Sequence, residues 1–527
     1  MSNGTDTIYR PGVAVLSRAS SPPVGAPTDT TVGFIVGEAL QGPTDAASEI
    51  QSLDQFTTVY GARLATSCLY DGVEAFFREG GSRIYVARLA DGAVSASATL
   101  TGLGTGAKVN ANGPGTYANG WKLTVAAAVV GTTGAQTSSA GDGDDDGEDS
   151  GTPSNGGEAP SQRLTFAPLA AGDPFTAQLV DGSGKLLQQS LQLYTTDDLV
   201  AWATSQGFIN VTGTTPGLDL AAVTATLATG SDGTVPVTDD AKLDDALGLF
   251  AAELGPGQVW APGKTDVDMQ AAVMVHGQRN NRTFLLDAPR GADVPTLTAT
   301  ATALRGSDQD RYGGLFAPWA TVPGVALGTT RTIPWSSIQA GMCARLDASV
   351  GHANRAAAGE YGQSYFALGL DQTFSDPDRQ SLLYAGCNTA RMRYGTVRGY
   401  GFRTLADQNG PRGQWWQLNW ARLNMQIVAE SEEIGEEYVF SQIDGRGLTI
   451  QAFNGELKGM LNDLFGLGAV YGDTPDDAFL VNTGSSVNTD ETIANGELHA
   501  VLSVKMSPHA ELVEIEIVKV ALTEALS

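Results

Sequence analysis

The stretch Tyr70–Leu89, YDGVEAFFREGGSRIYVARL, decides the fold class. Val73, Phe76 and Phe77 stand at i, i+3 and i+4, which predicts a helix with one apolar face. Gly80-Gly81 ends that helix, because glycine takes the left-handed conformation that closes a helical turn. Arg83–Leu89 then alternates, with Ile84 and Val86 on one face and Tyr85 and Ala87 on the other. Helix, stop and strand in immediate succession imply an α/β unit.

Upstream, Thr31–Ala39 (TVGFIVGEA) is a compact apolar run of the kind found in buried central strands, turned at Gly42-Pro43. Ser52–Tyr60 and Ser67–Glu79 read as helices. Earlier still, Ile8–Leu16 (IYRPGVAVL) is extended, because Pro11-Gly12 forbids a helix. Val13 and Val15 lie on that segment, and the Ser-, Pro- and Thr-rich residues that follow read as a linker.

Downstream, from about Asp91 to Gly233, threonine, alanine and glycine dominate. Short alternating runs such as Lys122–Val130 suggest a β-rich insertion, and Thr196–Gln206 reads as a helix within it. Residues 138–162 carry a dense acidic block and, prolines aside, nothing apolar larger than alanine. Such a segment cannot bury enough surface to offset ordering, so a disordered loop is expected there.

From Asp239 the α/β pattern returns. Asp240 is expected to cap a helix running to Leu254, with Leu243, Leu247, Phe250 and Leu254 on one stripe. Gln258–Ala261, a helix over Val267–Asn280 and the strand Arg282–Leu286 give strand–helix–strand, and hence a parallel sheet. Further helices are expected at Leu297–Leu304, Trp335–Leu346, Trp420–Gly435 and Gly447–Gly468, and further strands at Ala478–Asn482 and Leu498–Lys505. The tail Glu511–Val520 (ELVEIEIVKV) alternates Val513, Ile515 and Ile517 with Glu514 and Glu516, the plainest strand pattern in the chain.

The formal charge of −27 argues against binding duplex nucleic acid, which needs basic side chains to displace counterions. No apolar run approaches the ~20 residues of a membrane span, and the N-terminus lacks the basic and apolar regions of a secretory signal. Cys68, Cys343 and Cys387 are scattered, so neither structural zinc nor a disulfide framework is expected. Asp142–Pro153 begins like a calcium loop, but its twelfth position is proline where glutamate is needed. Gly257…Gly263-Lys264-Thr265 approaches a phosphate loop, but one extra residue separates the glycines and Pro262 removes an amide. No G-x-S-x-G elbow is present, and the four histidines lie in unrelated contexts. His276 reads as a packed helix residue, and Trp415, Trp416 and Trp420 as core or interface aromatics. No catalytic, cofactor-binding or metal-binding residue is therefore assigned. Arg391, Arg393, Arg398 and Arg403 form a basic stretch in an acidic protein, read either as solvated arginines or as charges that pair with another subunit.

Taken in order, several segments resemble those of contractile bacteriophage tail sheath proteins of the myovirus type. FFREGGSRIYVARL is similar to the family's helix, "ENGG" and "R-x-Y-V-V-R-V" strand. Pro11-Gly12-Val13 resembles the "PGVYVEE" arm, TVGFIVGEALQGP the "VAAFVGPAPRGP" strand and turn, and FLLDAPR the strand ending "ILDAP". PWSSIQAGMCARL resembles "PPSGHVAGIYARTD", and GYGFRTL followed by WQLNWAR resembles "VWGARTL" followed by "W-x-Y-V-N-V-R-R". GLGAVYGDTPDD with Phe479-Leu480-Val481 resembles "GALAGATPEEAFFV", and Gly496-Glu497-Leu498 the "GRLTVEIGV" strand. The acidic insertion has no counterpart, and the YGQS and CNTARMRYGT portions depart from the family wording.

The expected fold is a multidomain α/β (α+β) protein: a central mixed sheet with flanking helices, a β-rich insertion and extended terminal strand arms. The expected divisions are an N-terminal arm and linker (1–30), a first core segment (31–90), the insertion (91–235), a second core segment (236–394), a C-terminal sheath domain (395–510) and a C-terminal arm (511–527). The second core segment is subtilisin-like in family terminology and non-catalytic. The resemblance implies a structural, non-enzymatic subunit without cofactors. It would polymerise as stacked hexameric rings around a tail tube protein, meet baseplate and tail terminator proteins, and contract for genome ejection. It also implies assembly in the host cytoplasm, residence in the virion tail, and no direct contact with nucleic acid or membrane. Val13, Val15, Val513, Ile515 and Ile517 would be the inter-subunit strand residues. The sheath of a phage-like contractile injection system is the nearest alternative. An α/β-hydrolase-like enzyme is disfavoured by the missing elbow, and a surface adhesin by the missing signal peptide.

Overall fold

A computed structural model describes residues 28–128, 174–205 and 207–517. The expectations placed on Val13, Val15 and the acidic segment 138–162 fall outside them. The chain forms two compact units, Val94–Ser231 and the remainder on either side of it.

The larger unit is built on an eight-stranded mixed sheet. Its spatial order is Thr396–Gly399, Cys387–Arg393, Gly313–Ala317, Thr283–Asp287, Gln258–Trp260, Gly33–Gly37, Ile84–Arg88 and Ser48–Ile50. The six inner strands run parallel, and each edge strand is antiparallel to its neighbour. Alternation along each strand divides the core. Ile35, Ile84, Val86, Trp260 and Leu285 pack on one face against the helices Leu69–Arg78 and Trp335–Val350. Phe34, Val36, Ala87, Val259, Phe284 and Leu286 pack on the other, against Asp240–Leu247 and Val267–Arg279. Burying each large apolar side chain contributes about 1.5–3 kcal/mol, so both faces must be covered.

The opening stretch explains itself here. Val73 and Phe76 are fully buried, and Gly80 takes φ +105°. Gly81 must lack a Cβ, because one would stand 2.2 Å from Phe76 Cε1. Glu79, between helix and glycines, is completely buried. It accepts from the Tyr365 and Phe366 amides at 3.1 Å, from Arg345 Nη1 at 3.0 Å and from Ser364 Oγ. Ser364, the last residue of the YGQS segment, and the two residues that follow it thus form most of a carboxylate cradle.

One helix is shorter than its apolar stripe. It begins at Asp240 with Asp239 as the cap, and it ends at Leu247 rather than Leu254. A turn at Gly248 and a 3-10 turn over Ala252–Leu254 still bring Phe250 into the core, so a periodic stripe outlasts the helix.

Toward the C-terminus, the helices Leu418–Glu436 and Leu448–Gly466 enclose Leu423, Ile427, Leu457, Leu461 and Leu464 with a two-stranded ribbon, Phe479–Asn482 and Val501–Val504. No helix among the described residues is long and apolar enough to cross a membrane.

The smaller unit is β-rich. It holds a four-stranded antiparallel sheet (Val223–Thr226, Lys122–Ala127, Phe175–Val180, Leu186–Gln189) and a three-stranded one (Ser97–Thr99, Lys108–Ala111, Ile209–Thr212). Its own core includes Leu123, Val125, Leu179 and Leu199.

Candidate functional site

In an open α/β sheet, ligands bind beyond the carboxyl ends of the strands where the strand order reverses. Here that point lies between Gly33–Gly37 and Gln258–Trp260, since the chain next adds Ile84–Arg88 on one side and later strands on the other. The crevice is filled by the chain itself. Glu38, just past the first strand, pairs with Lys264, and both are tied to Val237: its amide donates to Glu38 Oε1 at 2.9 Å and its carbonyl accepts from Lys264 Nζ at 2.8 Å. The lysine of the near phosphate loop is thus engaged by a carboxylate.

Asp287 closes the next strand. It accepts from the Ser336 amide (2.9 Å), Ser336 Oγ (2.7 Å) and the Gly263 amide (3.1 Å). Burial pushes its carboxyl up to about 6, against the pull of these donors. Beside it, burial pushes the Cys68 thiol up to about 12, which removes the thiolate needed of a nucleophile. His276 is driven down to about 3 by burial and by Arg282, whose Nη1 lies 3.0 Å from its Nε2, so the imidazole is neutral and occupied. Among the described residues no group of three or more His, Cys, Asp or Glu could hold a metal ion.

Open valence lies instead at the C-terminal end. Residues 507–511 are anchored to the body. The Ser507 carbonyl accepts from Asn354 Nδ2 (3.0 Å), Asn419 Nδ2 (3.2 Å) and Trp420 Nε1 (3.2 Å). Gln417 exchanges two hydrogen bonds with the His509 backbone, at 3.1 and 3.2 Å. Arg403 grips both oxygens of Glu511, with Nε at 3.0 and 3.1 Å, and stacks 4.4 Å over Trp416. After Glu511 the anchoring stops. Leu512, Val513, Ile515 and Ile517 are all exposed, Leu512 by 82% and Ile517 by 90%. The sequence predicts a strand here, yet residues 511–517 form none. A strand is defined by its partner, and among the described residues none pairs with this segment.

The four arginines separate. Arg391 lies 3.5 Å from Asp376 and 4.6 Å over Tyr400, Arg398 pairs with Glu360, and Arg403 with Glu511. Arg393 alone has no carboxylate partner among the described residues, and its Nη2 donates to Tyr394 Oη at 3.1 Å.

One buried group leaves no signal in the sequence. Glu432 is 1% exposed, its Oε1 has no hydrogen-bond partner among the described residues, and burial pushes its carboxyl up to about 8. The unfolded group loses its proton near 4.5, so its penalty on the fold is absent below that pH, grows as pH rises to about 8, and is constant above. Glu432→Gln is therefore expected to raise stability at pH 8 by about 2–4 kcal/mol and to change it little at pH 4. Urea unfolding at the two pH values reads this. Equal effects at both would refute it.

No family model matches the sequence, and no curated protein is detectably similar to it. Solved structures are. A sheath tail protein from Listeria innocua matches with a TM-score of 0.59 at 12% identity, over 92% of this chain and 96% of its own. A sheath tail protein from Desulfitobacterium hafniense matches at 0.52 and 14%, over 90% and 93%. A chain of the anti-feeding prophage baseplate in its contracted state matches at 0.55 and 15%, over 98% of each. The chain has the contractile tail sheath fold. The match to that sheath fold spans 90–98% of the chain.

Proposed function

We propose that the chain is the structural subunit of a contractile sheath. It polymerises into a helical sleeve around a tail tube and contracts to drive that tube through a host envelope for genome ejection. The observation that carries this reading is the sheath fold over nearly the full chain, with an anchored apolar segment over residues 511–517 that pairs with no strand among the described residues. In such a polymer the tail adds a strand to a neighbour's sheet: backbone groups supply affinity, and the alternating Val513, Ile515 and Ile517 supply register. The ribbon Phe479–Asn482/Val501–Val504 is a fitting acceptor, since both its edges are unpaired among the described residues and present a row of backbone donors and acceptors. Val13 and Val15 would act likewise from the N-terminal arm. Each added hydrogen bond contributes only about 1 kcal/mol, but repetition around a closed lattice makes the sleeve hard to dissociate.

Stacked hexameric rings, a tube protein inside, baseplate and terminator proteins at the ends, assembly in the host cytoplasm and residence in the virion tail follow from this reading. The sheath of a phage-like injection particle is a second reading. It is favoured by the similarity to chains of the anti-feeding prophage and of the extracellular PVC contractile injection system. Contraction needs no nucleotide if the extended form is the higher-energy packing of the two. Sedimentation of the purified chain over a concentration series tests the proposal: particles of megadalton size are expected, and a persistent monomer that hydrolyses esters or peptides would overturn it.

A further inference from the structure

The hairpin formed by Cys387–Arg393 and Thr396–Gly399 turns through two residues, Tyr394 and Gly395, with φ of 51° and 76°. Both left-handed positions of such a turn favour asparagine, aspartate or glycine, and a bulky aromatic there is strained. Nothing among the described residues compensates by burial: Tyr394 is 81% exposed and stacks on its neighbour Arg393, and Met392 beside it is also exposed. Met, Arg and Tyr are the residue types enriched at the buried centres of protein interfaces. The tip is thus a basic, aromatic knob held outward in a protein of net charge −27.

Between the helices Leu418–Glu436 and Leu448–Gly466 lies a groove of about 360 Å³. Glu430, Glu433, Glu437 and Asp463 line it, with Met460 and Leu464 among its apolar residues. None of the four carboxylates is in an ion pair with a cation among the described residues. Burial, with the charges of Glu433 and Asp463, raises the Glu430 carboxyl above its usual range.

We propose that the Met392–Gly395 tip of one copy of this chain seats in the groove between these helices in a second copy, Arg393 meeting the carboxylates and Tyr394 covering the partly exposed Met460. The proposal rests on the sheath reading, in which copies pack side by side. Charge favours this occupant, because knob and groove carry opposite, locally uncompensated charge on one polypeptide. Two different surfaces meeting head to tail propagate into rings or helices, whereas a self-complementary patch would stop at a dimer.

The test is a charge exchange in the full-length chain, reading the concentration at which half the protein sediments. Arg393→Glu and Glu433→Arg are each expected to raise that concentration at least about tenfold, and the double variant to return it toward wild type. Tyr394→Asn is expected to raise the melting temperature of the unassembled chain while weakening assembly, a pair of effects that a folding defect does not give. If wild type assembles and Arg393→Glu assembles at the same concentration, the knob is not an interface, although the sheath reading stands. The same conclusion follows if the double variant is no better than its parents. If wild type forms no polymer at any concentration, both readings fall.

Discussion

Truncation after Glu511 is expected to abolish polymerisation while leaving the fold intact. Leu512, Val513, Ile515 and Ile517 are 75–90% exposed and belong to no core cluster among the described residues, so their loss removes no core contact there. Glu511 is retained because it neutralises Arg403, which is itself buried and lies against Trp416. A cut one residue earlier leaves the buried Arg403 guanidinium without its partly exposed carboxylate partner, and losing these charge-assisted hydrogen bonds is expected to cost about 1.5–3 kcal/mol. The two truncations should therefore differ in thermal stability and agree in failing to assemble. Differential scanning calorimetry with sedimentation of the same samples checks both outcomes. Normal polymer from the chain ending at Glu511 would show that this tail is not an arm.

Glu79→Ala is expected to cost the larger unit at least about 3–5 kcal/mol. The substitution leaves the amides of Tyr365 and Phe366, the Ser364 hydroxyl and Arg345 around an empty buried site. Three of those donors lie on one loop, so the loop 364–366 should loosen with it. Glu79→Gln keeps the shape and one acceptor oxygen but removes the charge that Arg345 faces, and a smaller loss of about 1–3 kcal/mol is expected. Urea unfolding measures both. A loss below about 1 kcal/mol for the alanine variant would mean that the cradle does not support the fold.

Glu79 and the tail beyond Glu511 mark the boundary of what the sequence makes legible. The helix over Leu69–Arg78 and the strand over Ile84–Arg88 are readable because each repeats a local period and ends on a local signal, the glycine pair. The division of Ile84 and Val86 from Tyr85 and Ala87 is readable for the same reason, and it extends to both faces of the sheet. Glu79 sits inside that legible stretch, yet its role is not legible, because its donors stand 266 to 287 positions away. The Glu38–Lys264 plug is hidden likewise, its partners being 226 apart. Periodicity overextends the helix from Asp240, because a turn at Gly248 can carry an apolar stripe into the core without helical hydrogen bonds. The tail over Glu511–Ile517 shows the converse. Its alternation is plain, but the pairing that would make it a strand is not contained in one copy of the chain.

Folding likewise separates the four arginines. Spacing alone groups Arg391, Arg393, Arg398 and Arg403 as one basic stretch. Folding gives three of them carboxylates from other segments and leaves Arg393 at a hairpin tip.

Electron microscopy of the purified full-length chain tests the central claim most directly. Tubes of uniform diameter with a regular axial repeat, absent from the chain truncated after Glu511, are the predicted result. Discrete monomers at every concentration would contradict it.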